Sequence, residues 1–533
     1  MLEGCIPWPE DLAALYRRKG YWQGRPLGDL LHEACAEHGD RPAVVCGERR
    51  MTYAQLATAS GELAGGFLDR GIGPLDRVVV QLPNICEFVV VMCALFRVGA
   101  IPVLALPGHR RNEITHLAGH SGAVAYVIVD EAGGFDFREL ARQVRDEQPG
   151  VQHVFVVGDA GEFTALDSVT SANRDFPRVD PSEPAMFLLS GGTTGLPKLI
   201  PRTHDDYAYQ MRATAEAVRM GPDDAYLAVN PAAHNAALGC PGVFGTLLAG
   251  GKSVLTTSVR PDDVFEVIRR EGVTLTTVVP PVLRLWMDAA QKSGVGLSGV
   301  TLQVGSSKVD PTQAEQALKI LDCPLSQWYG IGEGLLTHTR LDDPREVVVN
   351  SEGRALCPDD EVRVADADGR PLPVGEEGEL ITRGPYTIRG YYRAEEKNAE
   401  AFTPDGFFRT GDLAKFRPDG NLVLVGRIKD IINRSGEKVP AEEVEEYLLA
   451  HPAIRDAALV GVPDRALGER SHAFVILSEE VGTPQLKAHL RACGLATYKI
   501  PDKLIVVDEL PRTPVGKVDK SALRAMVTRQ RAA

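Results

Sequence analysis

The 533-residue chain has no basic excess, no paired cysteine spacing and no long apolar run. Its formal charge of −14 excludes the basic footprint of a nucleic-acid binder. Any anionic ligand must therefore be met by locally placed lysines and arginines. The nine cysteines, Cys5, Cys35, Cys46, Cys86, Cys93, Cys240, Cys323, Cys357 and Cys493, are odd in number and include no C-x-x-C pair. Neither a disulfide framework nor a zinc site follows from such spacing, and a reducing cytoplasm fits it best. The longest apolar run, Phe88 to Phe96, is far short of the ~20 residues that span a bilayer. Met1 to Glu10 holds acids and prolines where a signal peptide would place a basic stretch before an apolar one. Internal repeats and low-complexity segments are also missing. The expectation is a soluble, cytoplasmic chain with neither nucleic acid nor membrane as partner.

The composition, 44% hydrophobic and 24% charged, is that of a globular protein. Single cores rarely grow beyond ~250–300 residues, so at least two domains are expected. Arg77-Val-Val-Val-Gln81 reads as a buried strand, Glu87 to Val98 as a helix closed by Gly99, and Ile101 to Leu106 as the next strand. Val124 to Val129 and His153 to Val157 read as further strands of an α/β protein with parallel sheets. From Glu361 the turn signals Asp368-Gly, Asp405-Gly and Asp419-Gly predict a β-rich subdomain. Beyond Gly426, helices over Ala441 to Leu449 and Pro484 to Cys493 alternate with strands over Ala457 to Val462 and His472 to Leu477, forming a small α+β domain. The expected division is 1–428 and 429–533, with a short charged junction that suggests a hinge.

The most informative stretch is Ser190-Gly-Gly-Thr-Thr-Gly-Leu-Pro-Lys198, which follows the apolar Ala185 to Leu189. Gly191, Gly192 and Gly195 let the backbone approach an anion closely, while three hydroxyls and one ammonium face it. A polyphosphate loop is predicted. It is not a Walker loop, which would need glycine in place of Leu196 and a hydroxyl residue in place of Leu199. Pro197 also disfavours a helix start at this point.

Further polar clusters follow in order: His234-Asn235, Tyr329-Gly-Ile-Gly-Glu-Gly334, Phe408-Arg-Thr-Gly-Asp412, Gly426-Arg-Ile-Lys-Asp430 and Pro514-Val-Gly-Lys-Val518. With the phosphate loop, their order and spacing resemble the adenylate-forming superfamily of acyl- and aryl-CoA synthetases, peptide-synthetase adenylation domains and luciferases. The resemblance runs over nearly the whole chain. Longer strings, among them Ala233-His-Asn235, Thr339-Arg-Leu-Asp-Asp343 and Asn433-Arg-Ser-Gly-Glu-Lys438, resemble the stand-alone aryl-acid adenylating enzymes, the salicylate and 2,3-dihydroxybenzoate-AMP ligase branch.

That resemblance implies ATP and Mg2+, a large N-terminal domain with two parallel-type α/β subdomains and a β-rich subdomain, and a small mobile C-terminal domain. It implies attack of an aromatic carboxylate on the α-phosphate, where positive charge must meet the charge that develops. By the same likeness Lys517 is the mobile lysine that bridges acid, α-phosphate and ribose. Glu333 is the magnesium carboxylate. Asp412 accepts from the ribose hydroxyls, with Arg427 as a second ribose ligand. Gly191, Gly192, Thr193, Thr194 and Lys198 hold the outer phosphates. Gly305, Ser306, Trp328, Tyr329 and Gly330 flank the nucleotide, with Tyr329 stacking on adenine. Lys429 marks the hinge, and Gly436 and Lys438 lie along a thiol tunnel.

For the acid, the resemblance implies that Asn235 bonds an ortho-hydroxyl, its amide offering a donor and an acceptor, and that His234 shapes the carboxylate's approach. Ala236, Cys240, Ser307, Gly330, Gly332 and Leu336 join them in the pocket. Cys240 stands where catechol-activating members carry serine, and a thiol behaves as a small apolar group. Burying a second hydroxyl unsatisfied costs ~1–3 kcal/mol, so salicylate is expected over 2,3-dihydroxybenzoate. Small residues at 236, 239 and 332 leave 6-methylsalicylate as an alternative. No G-x-D-S attachment site is visible, so the expected acceptor is a phosphopantetheinylated aryl carrier protein in trans. Alternatives are an aryl-CoA ligase, a 2,3-dihydroxybenzoate- or hydroxypicolinate-activating homologue, and a non-catalytic nucleotide-binding protein. The joint presence of Lys517, Glu333, Asp412 and Arg427 counts against the last.

Overall fold

The structure is a computed structural model that describes every residue except 173–174, 191–195, 307, 435–436, 465–466, 494, 496, 514–515 and 533. The side chains of 433, 437–438, 497, 528 and 530–532 also lie outside the description. A seven-stranded sheet runs Leu199–Thr203, Pro184–Leu189, Ile101–Leu104, Arg77–Gln81, Ala125–Val129, His153–Val157 and Thr164–Ala165. Only its first pair is antiparallel. Its central strands are almost wholly buried, which is why they read as unbroken apolar runs: helices cover both faces of a parallel sheet.

In a nine-stranded sheet, Leu325–Gly330, Thr301–Val304, Leu275–Val278, Ala225–Ala228, Lys252–Leu255 and Pro42–Cys46 run parallel, with antiparallel strands at both edges. Asn84 ties the two sheets together. Its Nδ2 reaches the carbonyls of Ala228 (3.1 Å), Asn230 (2.9 Å) and Thr256 (3.0 Å), and its Oδ1 accepts from Ala232 N–H (2.7 Å). That clamp fixes the segment leading to His234.

A four-stranded antiparallel sheet follows, made of Glu361–Ala365, Gly378–Arg383, Phe408–Phe416 and Leu422–Arg427. The turn Ile428–Asp430 then leads into a five-stranded sheet beginning at Ile431–Arg434. This last region has its own core, including Val444, Leu459, Val475 and Leu490. Polar contacts that join it to the nine-stranded region include Lys308 Nζ to Glu446 Oε1 (2.5 Å) and Arg284 donating to the Arg455 carbonyl (2.7 Å).

The predicted helix at Glu87 begins one residue earlier, as Cys86–Val98, and ends at Gly99 with φ +71°. There the absence of a Cβ lets the chain turn back. The strand expected over Ile101 to Leu106 stops at Leu104. Among the described residues no helix is long and apolar enough to cross a membrane.

Candidate active site

Leu189 and Leu199 are in antiparallel register. Just beyond them, Ser190 N–H donates to the Lys198 carbonyl (3.0 Å) and Lys198 N–H to Ser190 Oγ (3.0 Å). The glycine-rich stretch thus links two strands of a hairpin, unlike the strand-to-helix connection of a Walker loop. Gly191, Gly192, Thr193 and Thr194 lie outside the described residues.

Lys198 Nζ is 4.4 Å from the centroid of the Tyr391 ring, and the Tyr391 hydroxyl donates to Glu333 Oε1 (2.7 Å). Burial holds Lys198 below the usual lysine range, opposed by the Glu333 charge. Tyr391, which sequence reasoning did not single out, therefore joins the expected phosphate lysine to the expected metal carboxylate. Glu333 sits in a tight turn beside Gly334, whose φ is +135° and where a Cβ would lie 2.2 Å from the Tyr386 carbonyl. Among the described residues no group of three or more His, Cys, Asp or Glu side chains could hold a metal. One carboxylate with an oxygen still to offer fits magnesium, which takes few protein ligands and fills its shell with substrate phosphates and water.

Asp412, 5% exposed, lies opposite Arg427 in the strand pairing. Its Oδ1 is 3.0 Å from Arg427 Nε, and its Oδ2 accepts from the Tyr329 hydroxyl (2.8 Å). Each carboxylate oxygen keeps a second lone pair, so two further hydroxyls can still be accepted. The Asp412 charge raises the pKa of Arg427.

Lys517 reaches this pair from the small domain, on a turn closed by Thr513 N–H to Lys517 O (2.7 Å) and Lys517 N–H to Thr513 Oγ1 (3.2 Å). Burial pushes its ammonium down to about 8; Arg427 and Lys429 add to the depression, while Asp412 and Glu442 oppose it. Burial likewise pushes His234 down to about 4, with Lys517 contributing. His234 is thus neutral at physiological pH. Its Nδ1 accepts from Ala236 N–H (3.3 Å), capping the short helix Asn235–Gly239, which leaves the proton on Nε2. Lys429 stands on the exposed turn Ile428–Asp430. Gly436 and the side chain of Lys438 lie outside the described residues.

Asn235 rests on two residues of the helix His204–Ala217 that sequence reasoning missed. Its Oδ1 accepts from the Tyr207 hydroxyl (2.8 Å) and from Gln210 Nε2 (3.3 Å). Gln210 Nε2 also reaches the Gly239 carbonyl (3.1 Å) and Cys240 Sγ (3.5 Å). The i, i+3 spacing of Tyr207 and Gln210 puts both on one helix face, the one signal that could have drawn attention to them. Cys240 is wholly buried, and desolvation pushes its thiol up to about 12.

Trp328 and Tyr329 have different surroundings, because adjacent residues of a strand face opposite ways. Tyr329 turns to Asp412, whereas Trp328 packs in the buried cluster of Ala236, Cys240 and Leu336, stacked on His338 at 5.7 Å. Gly305 and Gly330 serve that indole: a Cβ would come within 2.5 Å and 2.6 Å of it. Ser306 follows with a left-handed φ of +65°, and Ser307 lies outside the described residues. Gly239 and Gly332 are closely packed: a Cβ on Gly239 would be 2.7 Å from the Tyr207 hydroxyl, and one on Gly332 2.8 Å from Ile200 Cδ1.

The AMP-binding enzyme family model matches residues 31–392, and the AMP-binding enzyme C-terminal domain model matches 443–517. Triostin synthetase I of Streptomyces triostinicus is 63% identical over 99% of both chains. The 2,3-dihydroxybenzoate-AMP ligase of Bacillus subtilis is 50% identical, with 99% of this chain and 98% of that one covered. A Streptomyces salicylyl-CoA synthase / salicylate adenylyltransferase is 46% identical over 98% of each. The apo structure of Mycobacterium smegmatis MbtA superposes with a TM-score of 0.78 at 44% identity, covering 98% of this chain and 99% of that one. The chain belongs to the adenylate-forming family of AMP-binding enzymes, and its relatives there include aryl-acid-AMP ligases.

Proposed function

We propose that the protein activates an aryl carboxylic acid of the salicylate type with ATP and passes the aryl group to the phosphopantetheine thiol of a separate aryl carrier protein. The observation that carries this reading is that the charges of Asp412 and Arg427, which pair with each other, bear on Lys517, and that Lys517 in turn bears on neutral His234. The acid's carboxylate oxygen bonds to the α-phosphorus as the bond to the bridging oxygen of the β-phosphate breaks, giving the aryl-AMP and pyrophosphate. Lys517 offsets the charge that gathers around the α-phosphorus, and Lys198 that of the departing pyrophosphate. His234, donating from Nε2, orients the carboxylate. Glu333 would hold magnesium together with the substrate phosphates, and the ion would supply further charge neutralisation there. Asp412 and Arg427 hold the ribose hydroxyls. Rotation of the small domain about Lys429 then withdraws Lys517, and the thiol sulfur bonds to the carbonyl carbon as AMP leaves.

The relatives' names, one for salicylate and one for 2,3-dihydroxybenzoate, support an aryl acid. The buried thiol of Cys240 beside Gln210 favours salicylate. Acid-dependent exchange of pyrophosphate into ATP across substituted benzoates tests the activation. The expected result is strongest exchange with salicylate, and exchange with no aryl acid would refute it. A second reading, an aryl-CoA ligase, is favoured by the name of the salicylyl-CoA synthase relative. Thioester formation with coenzyme A as efficient as with a holo carrier protein would select it.

A further inference from the structure

The geometry points to Gln210 as a positioning residue that makes Asn235 a hydrogen-bond donor only toward the acid, so the group ortho to the carboxylate must offer a lone pair. The Gly239 carbonyl can only accept, and it lies 3.1 Å from Gln210 Nε2, so the amide of Gln210 turns its nitrogen that way. The same nitrogen is 3.3 Å from the Asn235 amide and 3.5 Å from Cys240 Sγ. Two NH2 groups cannot face each other at that distance, so Asn235 must present Oδ1 to Gln210, where the Tyr207 hydroxyl donates to it as well (2.8 Å). Gln210 and Tyr207 have no exposure, whereas Asn235 keeps 9%. Among the described residues Asn235 Nδ2 has no partner, and it is the amide atom left to meet a ligand.

The carbonyl oxygen of Gln210 is buried without a partner among the described residues. Turning the amide over would aim that oxygen at the Gly239 carbonyl, so the nitrogen-first orientation holds at the cost of one unsatisfied acceptor. An amide spent in this way on fixing its neighbour reads as a device for orientation.

The consequence rests on the aryl-acid reading above and narrows it. A phenolic oxygen or an aromatic ring nitrogen beside the carboxylate matches the Nδ2 donor. An ortho amino group, whose hydrogens oppose the Asn235 NH2, does not. The substrate class is therefore an aryl or heteroaryl acid with an ortho acceptor.

Pyrophosphate exchange with the full-length enzyme tests this, using salicylate, anthranilate, picolinate and benzoate. Salicylate and anthranilate are near-isosteres, so size does not separate them. Leaving a buried donor unpaired lowers kcat/KM for anthranilate about tenfold or more below salicylate. Picolinate, which has a ring nitrogen in the ortho position and no hydroxyl, is expected to exceed benzoate several-fold. Gln210→Met, which frees the Asn235 amide to turn over, should bring the salicylate-to-anthranilate ratio toward one through KM for the acid, with KM for ATP unchanged. A merely structural role would lower both acids in parallel. Anthranilate equal to salicylate in the wild type overturns the inference while leaving aryl-acid activation intact, and the wild-type panel decides even if the variant does not fold. If no aryl acid supports exchange, the underlying reading fails first and this inference falls with it.

Discussion

The proposed nucleotide end draws its charges from both domains: the Arg427 side chain is 36% exposed and pairs with the buried Asp412 across two strands, and Lys517, on the small domain, is depressed by burial. At the acid end Tyr207, Gln210 and Cys240 have no exposure and carry no charge. Buried charges carry a large desolvation cost unless an opposite charge meets them, as Arg427 meets Asp412. Neutral amides and hydroxyls can be sealed once they satisfy one another. Changes at the nucleotide end should therefore act on rate, and changes at the acid end on which acid is chosen.

Lys517→Ala gives the sharpest break. Removing a preorganised cation from the developing charge should lower adenylation by about a hundredfold or more, while calorimetric ATP affinity moves only a few-fold. Undiminished exchange would mean that the lysine stands by without taking part. Cys240→Ser should act in the other way, with little effect on salicylate but a rise of about tenfold in the use of 2,3-dihydroxybenzoate relative to it. The reason is local: a hydroxyl in place of Sγ, 3.5 Å from Gln210 Nε2, gives the second phenol a partner. A ratio that stays fixed would place the thiol away from the ring.

The same comparison explains what could be read without coordinates. Parallel strands such as Arg77–Gln81 are legible because burial on both faces demands an apolar run, and Gly99 because its left-handed turn excludes a Cβ. Cluster order carried the resemblance, since each polar motif occupies few consecutive residues. Contacts made between elements were not legible. Tyr207 and Gln210 look like ordinary helix residues until the helix is laid under Asn235, and Tyr391 does not stand out until its hydroxyl is seen on Glu333. Strand alternation, which the sequence does carry, separates the surroundings of Trp328 from those of Tyr329. What packs against the glycines at 239 and 332 comes from other elements, Tyr207 and Ile200, and is not legible in their own stretches.

The smallest predicted effect tests the electrostatics of the nucleotide end alone. Burial with Arg427 and Lys429 holds Lys517 at about 8 in the free enzyme, below the ordinary lysine value of 10.5, while Asp412 and Glu442 pull the other way. Adenylation needs the cation, so its charged fraction, and with it kcat/KM, is full below that value and declines as pH rises through it, about tenfold per unit on the far limb. Glu442, raised by burial to about 7, is mostly ionised above that value, and its charge is among those that oppose the depression of Lys517. Bound ATP brings negative charge to the ammonium, so the corresponding limb in kcat should lie at higher pH than in kcat/KM. His234, held near 4, should add no inflection between pH 6 and 7, the range in which an unperturbed histidine titrates. Lys517→Arg keeps the charge at every accessible pH and should remove the limb even if it slows the reaction. A wild-type kcat/KM profile that stays flat from pH 7 to 10 would show that the depressed lysine does not govern the step.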